Sequence, residues 1–349
     1  MNRINSLTRL VGIGLIALAL TFSLGCSDDD DGGTGPTISE FDVIADAANG
    51  YLAAATATTT ATALYNNIND GNAANDPFIL DVRGATDYAA GHVAGAVNIP
   101  YREIAKAANQ GLLPGDKSKE IVVICYTGHT ASQTAAYLGT LGYANAKAMK
   151  FGMTSWTVDP VDFPWIVANP PYSSATDCGD YPVSTVNVTP GTHALPTVEN
   201  TTSSDESEII RAAADAYLSS GAAPTITAAT LYNNLNDGNT ANDPFILDVR
   251  SATDYAAGHV VGAINIGWKV IADPANLAKL PTDRQIVVIC YTGHTASYAN
   301  MVLKMLGYNA ITMKYGMTSW TVDPAKNPSI TTNRAYDVNV DCMDYPCVK

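Results

Sequence analysis

One phrase constrains this chain more than any other. ICYTGHTAS stands at residues 124–132 and again, unchanged, at 289–297. It sits inside a longer repeat. YNNINDGNAANDPFILDVR from Tyr65 returns as YNNLNDGNTANDPFILDVR from Tyr232, DYAAGHVAGAVNI from Asp87 returns as DYAAGHVVGAINI from Asp254, and GMTSWTVDP from Gly152 returns unchanged from Gly316. The period, roughly 165 residues, is a domain length and far too long for a solenoid repeat. The chain has 349 residues, enough for two such domains. The pattern therefore predicts one domain written twice, over 38–182 and 205–349. The Thr-, Ser-, Asn- and Pro-rich stretch 183–204 reads as a linker. A hydrophobic share of 47% supplies real cores and excludes wholesale disorder.

Within each unit the order of elements predicts an α/β fold. FDVIADAANGYLAAA and SEIIRAAADAYLSSG open as helices, and ATALYNNI and AATLYNNL form a second, shorter one before the NDG and NDP turns. FILDV and IVVIC are short apolar runs of the kind buried in parallel sheets. The TGHTAS segment then enters a helix that ends at Gly142 or Gly307, with Ala135, Leu138 and Leu141 on one side, and a third strand follows. Strand, turn and helix in alternation imply a parallel sheet covered by helices on both faces.

Cys125 and Cys290 end a predicted strand just where the chain turns into a helix, the usual place for a site in such folds. The glycine in each following loop permits a tight turn, so that successive amides converge above the sulfur while the helix aims its positive end at the same point. Those surroundings favour a thiolate, against a free thiol pKa of about 8.5.

The motifs FILDVR, YAAGHVAGAVNIP (YAAGHVVGAINIG in the second unit), VVICYTGHTAS and FGMTSW (YGMTSW), in that order and twice over, resemble the rhodanese domain, the sulfurtransferase fold. The resemblance implies two rhodanese-like domains in which Cys125 and Cys290 are nucleophiles. Each takes a sulfane sulfur from a small sulfur-containing anion such as thiosulfate, becomes a persulfide, and passes the sulfur to a thiophilic acceptor, with no cofactor. Tyr126, Thr127, Gly128, His129 and Thr130, with Tyr291, Thr292, Gly293, His294 and Thr295, would form the anion cradle. Asp81, Arg83, Asp248 and Arg250 would knit the loops around it.

Tyr126 and Thr130 stand where many active relatives carry arginine, so neither loop holds a permanent charge. His129 and His294 are expected to face solvent or bond the loop backbone, with substrate steering as the other role. The related phosphatase signature needs an arginine six residues after the cysteine. Ala131 and Ala296 occupy that loop's end instead, and the bidentate fork a phosphoryl group requires is missing. Zinc at Cys125 and His129 would need two further ligands, and none has suitable spacing, so no metal is expected. His92 and His259 are expected to anchor turns, Asp70 and Asp237 to form hydrogen-bonded turns rather than calcium sites, and Trp156 and Trp320 to pack in the core or between domains.

The amino terminus carries a separate message. Arg3 and Arg9 precede an apolar run, Leu10 to Leu24, shorter than a membrane span needs. It stops at Cys26, followed by SDDDDGGTG. Residues 1–25 resemble a bacterial lipoprotein signal, which would make Cys26 the lipid-bearing residue and 26–37 an acidic, Gly-rich tether. The expected location is the bacterial cell envelope, anchored by lipid, with the outer membrane favoured. There disulfides are permitted, and one is expected among Cys178, Cys342 and Cys347. A net charge of -14 disfavours nucleic acid as a partner. Two alternatives stand beside the enzyme: a non-catalytic module docking an envelope protein, and a thiol-based redox or chalcogen-binding protein.

Overall fold

The β-branched runs become strands, and the structure, a computed structural model, describes residues 39–160 and 164–349. The expected leader, Cys26 and the tether lie outside the described residues. The first half runs α1 (Glu40–Ala54), β1 (Thr58–Thr59), α2 (Ala61–Ile68), β2 (Phe78–Asp81), α3 (Ala85–Ala90), β3 (Val97–Asn98), β4 (Ile121–Ile124), α4 (His129–Thr140) and β5 (Ala146–Met149). Two helical turns follow, α5 (Trp165–Ala168) and α6 (Ser174–Asp177). The second half repeats the plan as α7 (Glu206–Ser219), β6 (Thr225–Ile226), α8 (Ala228–Leu235), β7 (Phe245–Asp248), α9 (Ala252–Ala257), β8 (Ile264–Asn265), α10 (Pro274–Leu277), β9 (Ile286–Ile289), α11 (His294–Met305) and β10 (Ala310–Met313). It closes with α12 (Met317–Trp320) and α13 (Val338–Asp341).

Each half holds a five-stranded parallel sheet, in the order β1-β5-β4-β2-β3 and β6-β10-β9-β7-β8, with helices on both faces. The helices start where capping chemistry allows. Ser39 accepts from the Asp42 amide, Thr60 from Ala63, Asp205 from Glu208 and Thr227 from Thr230, each bond contributing about 1 kcal/mol.

Strand alternation decides which way the cysteines face. Successive side chains of a strand point to opposite faces. Val122 and Ile124 pack with α2 residues in one cluster, whereas Ile121, Val123 and Cys125 point to the α1 and α4 face. In the second half Val287 and Ile289 take the outer cluster, and Ile286, Val288 and Cys290 the other. That second face is where the halves meet. A single apolar cluster runs from Ile44 through Ala135 and Tyr298 to Tyr308, so the repeats share one core. Helix α4 was expected to present one apolar side. It is instead buried nearly all round, Ser132, Gln133 and Thr134 included, because α11 packs on the side left to solvent in that expectation.

The tails are exchanged. Chain from the first half crosses to the second: Tyr181 stacks on Tyr232 at 4.0 Å, its amide donates to the Trp320 carbonyl at 2.9 Å, and Trp320 Nε1 donates to the Pro182 carbonyl at 2.8 Å. The carboxyl-terminal tail does the same on the first half. Tyr345 stacks on Tyr65 at 3.9 Å, its amide donates to Trp156 at 2.8 Å, and Trp156 Nε1 donates to Pro346 at 3.0 Å. Trp156 and Trp320 thus tie each half to the tail of the other.

Candidate active site

Register brings the loop residues together. In β2 and β4, Asp81 lies opposite Ile124, the residue before Cys125, and Asp248 lies opposite Ile289 in the same way. Arg83 spans the Asp81 carboxylate through Nε at 3.1 Å and Nη2 at 2.7 Å, and Nη2 also donates to the Gly91 carbonyl at 2.7 Å. Arg250 repeats this with Asp248 and Gly258. All four side chains are fully buried, so these pairs hold loops and do not face a ligand.

Each cysteine sits under its loop. Gly128, at φ +92°, turns the chain back so that its amide donates to Cys125 Sγ at 3.1 Å, and Gly293, at φ +89°, does the same for Cys290 at 3.1 Å. These glycines also begin α4 and α11 with no side-chain cap, which leaves first-turn amides of both helices directed at the loop. Tyr126 and Tyr291 swing outward. The Tyr126 hydroxyl donates to Asp87 Oδ2, and the Tyr291 hydroxyl donates to Asp254 Oδ2 at 2.5 Å. Burial first, and then the neighbouring carboxylate, raise both phenol pKa values. Thr130 and Thr295 are half-buried.

The thiols themselves are closed off. Cys125 is 2% exposed and Cys290 1%, both within the shared core. The two histidines are buried as well, and contrary to the sequence expectation they neither face solvent nor bond their own loop backbone. His129 Nε2 accepts the Tyr315 amide of the second half at 3.0 Å, and His294 Nε2 accepts the Phe151 amide of the first half at 3.0 Å. With Nε2 occupied as acceptor, the ring proton belongs on Nδ1, which donates to Thr127 Oγ1 at 3.1 Å and to Thr292 Oγ1 at 2.9 Å respectively. The rings stack 5.7 Å apart. Burial, then the facing His294 and Lys314, hold His129 well below its ordinary pKa. Burial, then Lys150, hold His294 down to about 3.

Phe151 and Tyr315, both in the left-handed region at φ 64°, head the loops that brace the cysteines. The Met153 amide donates to the Cys125 carbonyl at 2.8 Å and the Met317 amide to the Cys290 carbonyl at 2.8 Å. Lys150 and Lys314 precede them. Both are partly buried, and burial lowers their ammonium pKa values. Phe151, Tyr172, Tyr315 and Tyr336 form a four-ring cluster beside the histidines. Tyr172 and Tyr336 line an open groove of about 850 Å³ between the tails.

No disulfide joins Cys178, Cys342 and Cys347, contrary to the sequence expectation. Cys178 and Cys342 pack on the four-ring cluster, while Cys347 lies on the Trp156 cluster, where burial raises its thiol to about 11. Among the described residues, no three His, Cys, Asp or Glu side chains are grouped to hold a metal ion. His92 and His259 each place Nδ1 against a tyrosine carbonyl four residues back, at 2.9 and 2.7 Å. Sequence reasoning missed Asp87, Asp254, Phe151 and Tyr315. The two aspartates lie in a quoted repeat motif, but nothing in the motif pairs them with the loop tyrosines.

The sequence is similar to several known proteins. Uncharacterized protein YibN of Escherichia coli K12 is 33% identical over 81 residues, 23% of this chain and 56% of its own length. Putative sulfur carrier protein YrkF of Bacillus subtilis is 33% identical over 79 residues, 23% of this chain and 40% of its own. Thiosulfate sulfurtransferase GlpE of Pseudomonas entomophila is 30% identical over 78 residues, 22% of this chain and 68% of its own. The chain thus spans about half the length of the first of these relatives. The family profile described as "Rhodanese-like domain" matches residues 60–159 and again 227–323, more than half of the chain. With that double match and two parallel sheets built to one plan, the chain belongs to the rhodanese-like domain family and carries the domain twice.

Proposed function

We propose that the chain is a sulfurtransferase whose sulfur carriers are Cys125 and Cys290. The observation that carries this reading is the loop amide 3.1 Å from each sulfur, at the end of a parallel strand and the start of an uncapped helix. An outer persulfide sulfur needs such oriented donors. In the first step the Cys thiolate attacks the outer sulfur of thiosulfate. The S–S bond breaks, sulfite leaves with its electron pair, and Cys–S–S⁻ remains. In the second step the acceptor's nucleophilic atom takes the outer sulfur and the cysteine departs as thiolate. With no arginine in either loop, thiosulfate is one donor among small sulfur-containing anions. Burial of both thiols means that the seam between the halves opens before either step.

Mass spectrometry tests the reading. Protein treated with thiosulfate gains one sulfur at Cys125, Cys290 or both, and Cys125→Ser with Cys290→Ser abolishes gain and turnover. Turnover that survives the double change removes these cysteines as carriers. The lipoprotein-like start at Cys26 supports a second part of the proposal, that the protein works in the bacterial envelope on a lipid anchor, within reach of an envelope partner. Cys26→Ala then releases it from the membrane fraction.

A further inference from the structure

We propose that His129 and His294 are positioning residues that act across the seam, each carried by one thiol loop and holding the loop that braces the thiol of the other half. His294 lies four residues after Cys290, yet its Nε2 accepts the Phe151 amide 3.0 Å away in the first half. Phe151 leads directly into the segment whose Met153 and Thr154 amides bond the Cys125 and Tyr126 carbonyls at 2.8 and 3.1 Å. His129 reaches Tyr315, and the Met317 and Thr318 amides bond Cys290 and Tyr291 at 2.8 and 3.1 Å. Each chain of bonds thus starts at one cysteine loop and ends at the other cysteine.

The bracing loops need such a hold. Phe151 and Tyr315 are non-glycine residues in the left-handed region, a conformation that persists only when neighbours fix it. The Thr154 hydroxyl donates to the Phe151 carbonyl at 2.6 Å, and the Thr318 hydroxyl to the Tyr315 carbonyl at 2.6 Å, so the histidine supplies the remaining contact on the amide side. Space is equally tight. A Cβ on Gly152 or Gly316 would overlap the backbone of its own cysteine loop, and one on Gly128 or Gly293 would overlap the opposite histidine. With no slack in either connection, each histidine holds closed the thiol loop of the opposite half. The one buried seam therefore serves two sites, and neither is complete without the other half.

The consequence for sulfur transfer rests on the reading of Cys125 and Cys290 as carriers, but the test does not. Alkylation by iodoacetamide, read at each cysteine by peptide mass spectrometry in the full chain, reports accessibility without turnover. His294→Ala is expected to raise labelling of Cys125, in the other half, at least tenfold, and His129→Ala that of Cys290. His294→Gln, whose side-chain oxygen still accepts the Phe151 amide, restores slow labelling. A His294→Ala protein in which only its own neighbour Cys290 gains reactivity overturns the proposal, as does a Gln variant that behaves like Ala. Should the alanine variants fail to fold, ¹⁵N spectra of the wild-type histidines decide. Protons on Nδ1 of both rings, with slowly exchanging Phe151 and Tyr315 amides, support the proposal, and protons on Nε2 refute it. Failure to load sulfur at either cysteine would instead refute the proposed chemistry and leave the labelling result standing.

Discussion

Acid should weaken the join between the halves, and the histidines set where. His129 and His294 are neutral in the closed seam because Nε2 of each accepts an amide and cannot take a proton without losing that bond. Each ring also faces the other, with Lys314 acting on His129 and Lys150 on His294, so the neighbouring charges push both in one direction. A released histidine titrates near 6.5. The unfolded chain therefore binds protons more readily than the folded one, and the stabilisation, complete above about 6.5, is lost as pH falls toward about 3. At pH 5 a ring titrating near 6.5 when free and near 3 when held disfavours the closed state by about 2 kcal/mol, at about 1.4 kcal/mol per tenfold in proton binding. His129 adds to this with the same sign. Urea unfolding of the wild type and of the His129→Gln, His294→Gln double variant at pH 7 and pH 5 measures the difference. The three other histidines, His92, His193 and His259, are common to both proteins. Wild type should lose at least about 2 kcal/mol more than the double variant over that interval. Parallel losses would refute the assignment of neutral, amide-accepting rings.

Two further substitutions separate local from shared effects. Gly128→Ala meets both a left-handed backbone and the His294 ring, and should destabilise the chain by about 3 kcal/mol in a urea melt. Gly71→Ala, at φ +81° with open space around it, should cost only about 1 kcal/mol. Tyr345→Ala removes a ring stacked on Tyr65, and should cost about 2 kcal/mol while speeding hydrogen exchange around Trp156 in the first half rather than around Trp320.

What could be read before the structure was everything local. FILDV became β2 and β7, IVVIC supplied β4 and β9, and ATALYNNI is α2 residue for residue, because period, β-branching and capping residues act over a few positions. The position of Cys125 at a strand end before an αL glycine was legible for the same reason. Strand alternation even places Cys125 on the face of Ile121 and Val123, but it does not say what covers that face. That depends on the second half, and no local pattern encodes how two repeats dock. The histidines were misjudged on this account: a His in the turn after a strand-end cysteine reads as exposed until another half is laid over it. The two-residue strands β1 and β3 escaped notice because they are too short to carry a period. The exchanged tails also sort the three remaining thiols in a way no local pattern encodes, with Cys178 and Cys342 on one cluster and Cys347 on another.

The exchanged tails imply more than extra packing. The tail segments TDCGDYP (176–182) and VDCMDYP (340–346) each pack on the half that did not produce them, and the histidine bonds are reciprocal in the same sense. Such mutual, self-complementary contacts are what an isologous pair of identical subunits makes about a twofold axis. A polypeptide holding one copy with its tail would find the reciprocal tail and histidine contacts in a second molecule of itself. The covalent link through 183–204 turns that bimolecular encounter into an intramolecular one, so assembly of the paired sites no longer depends on concentration.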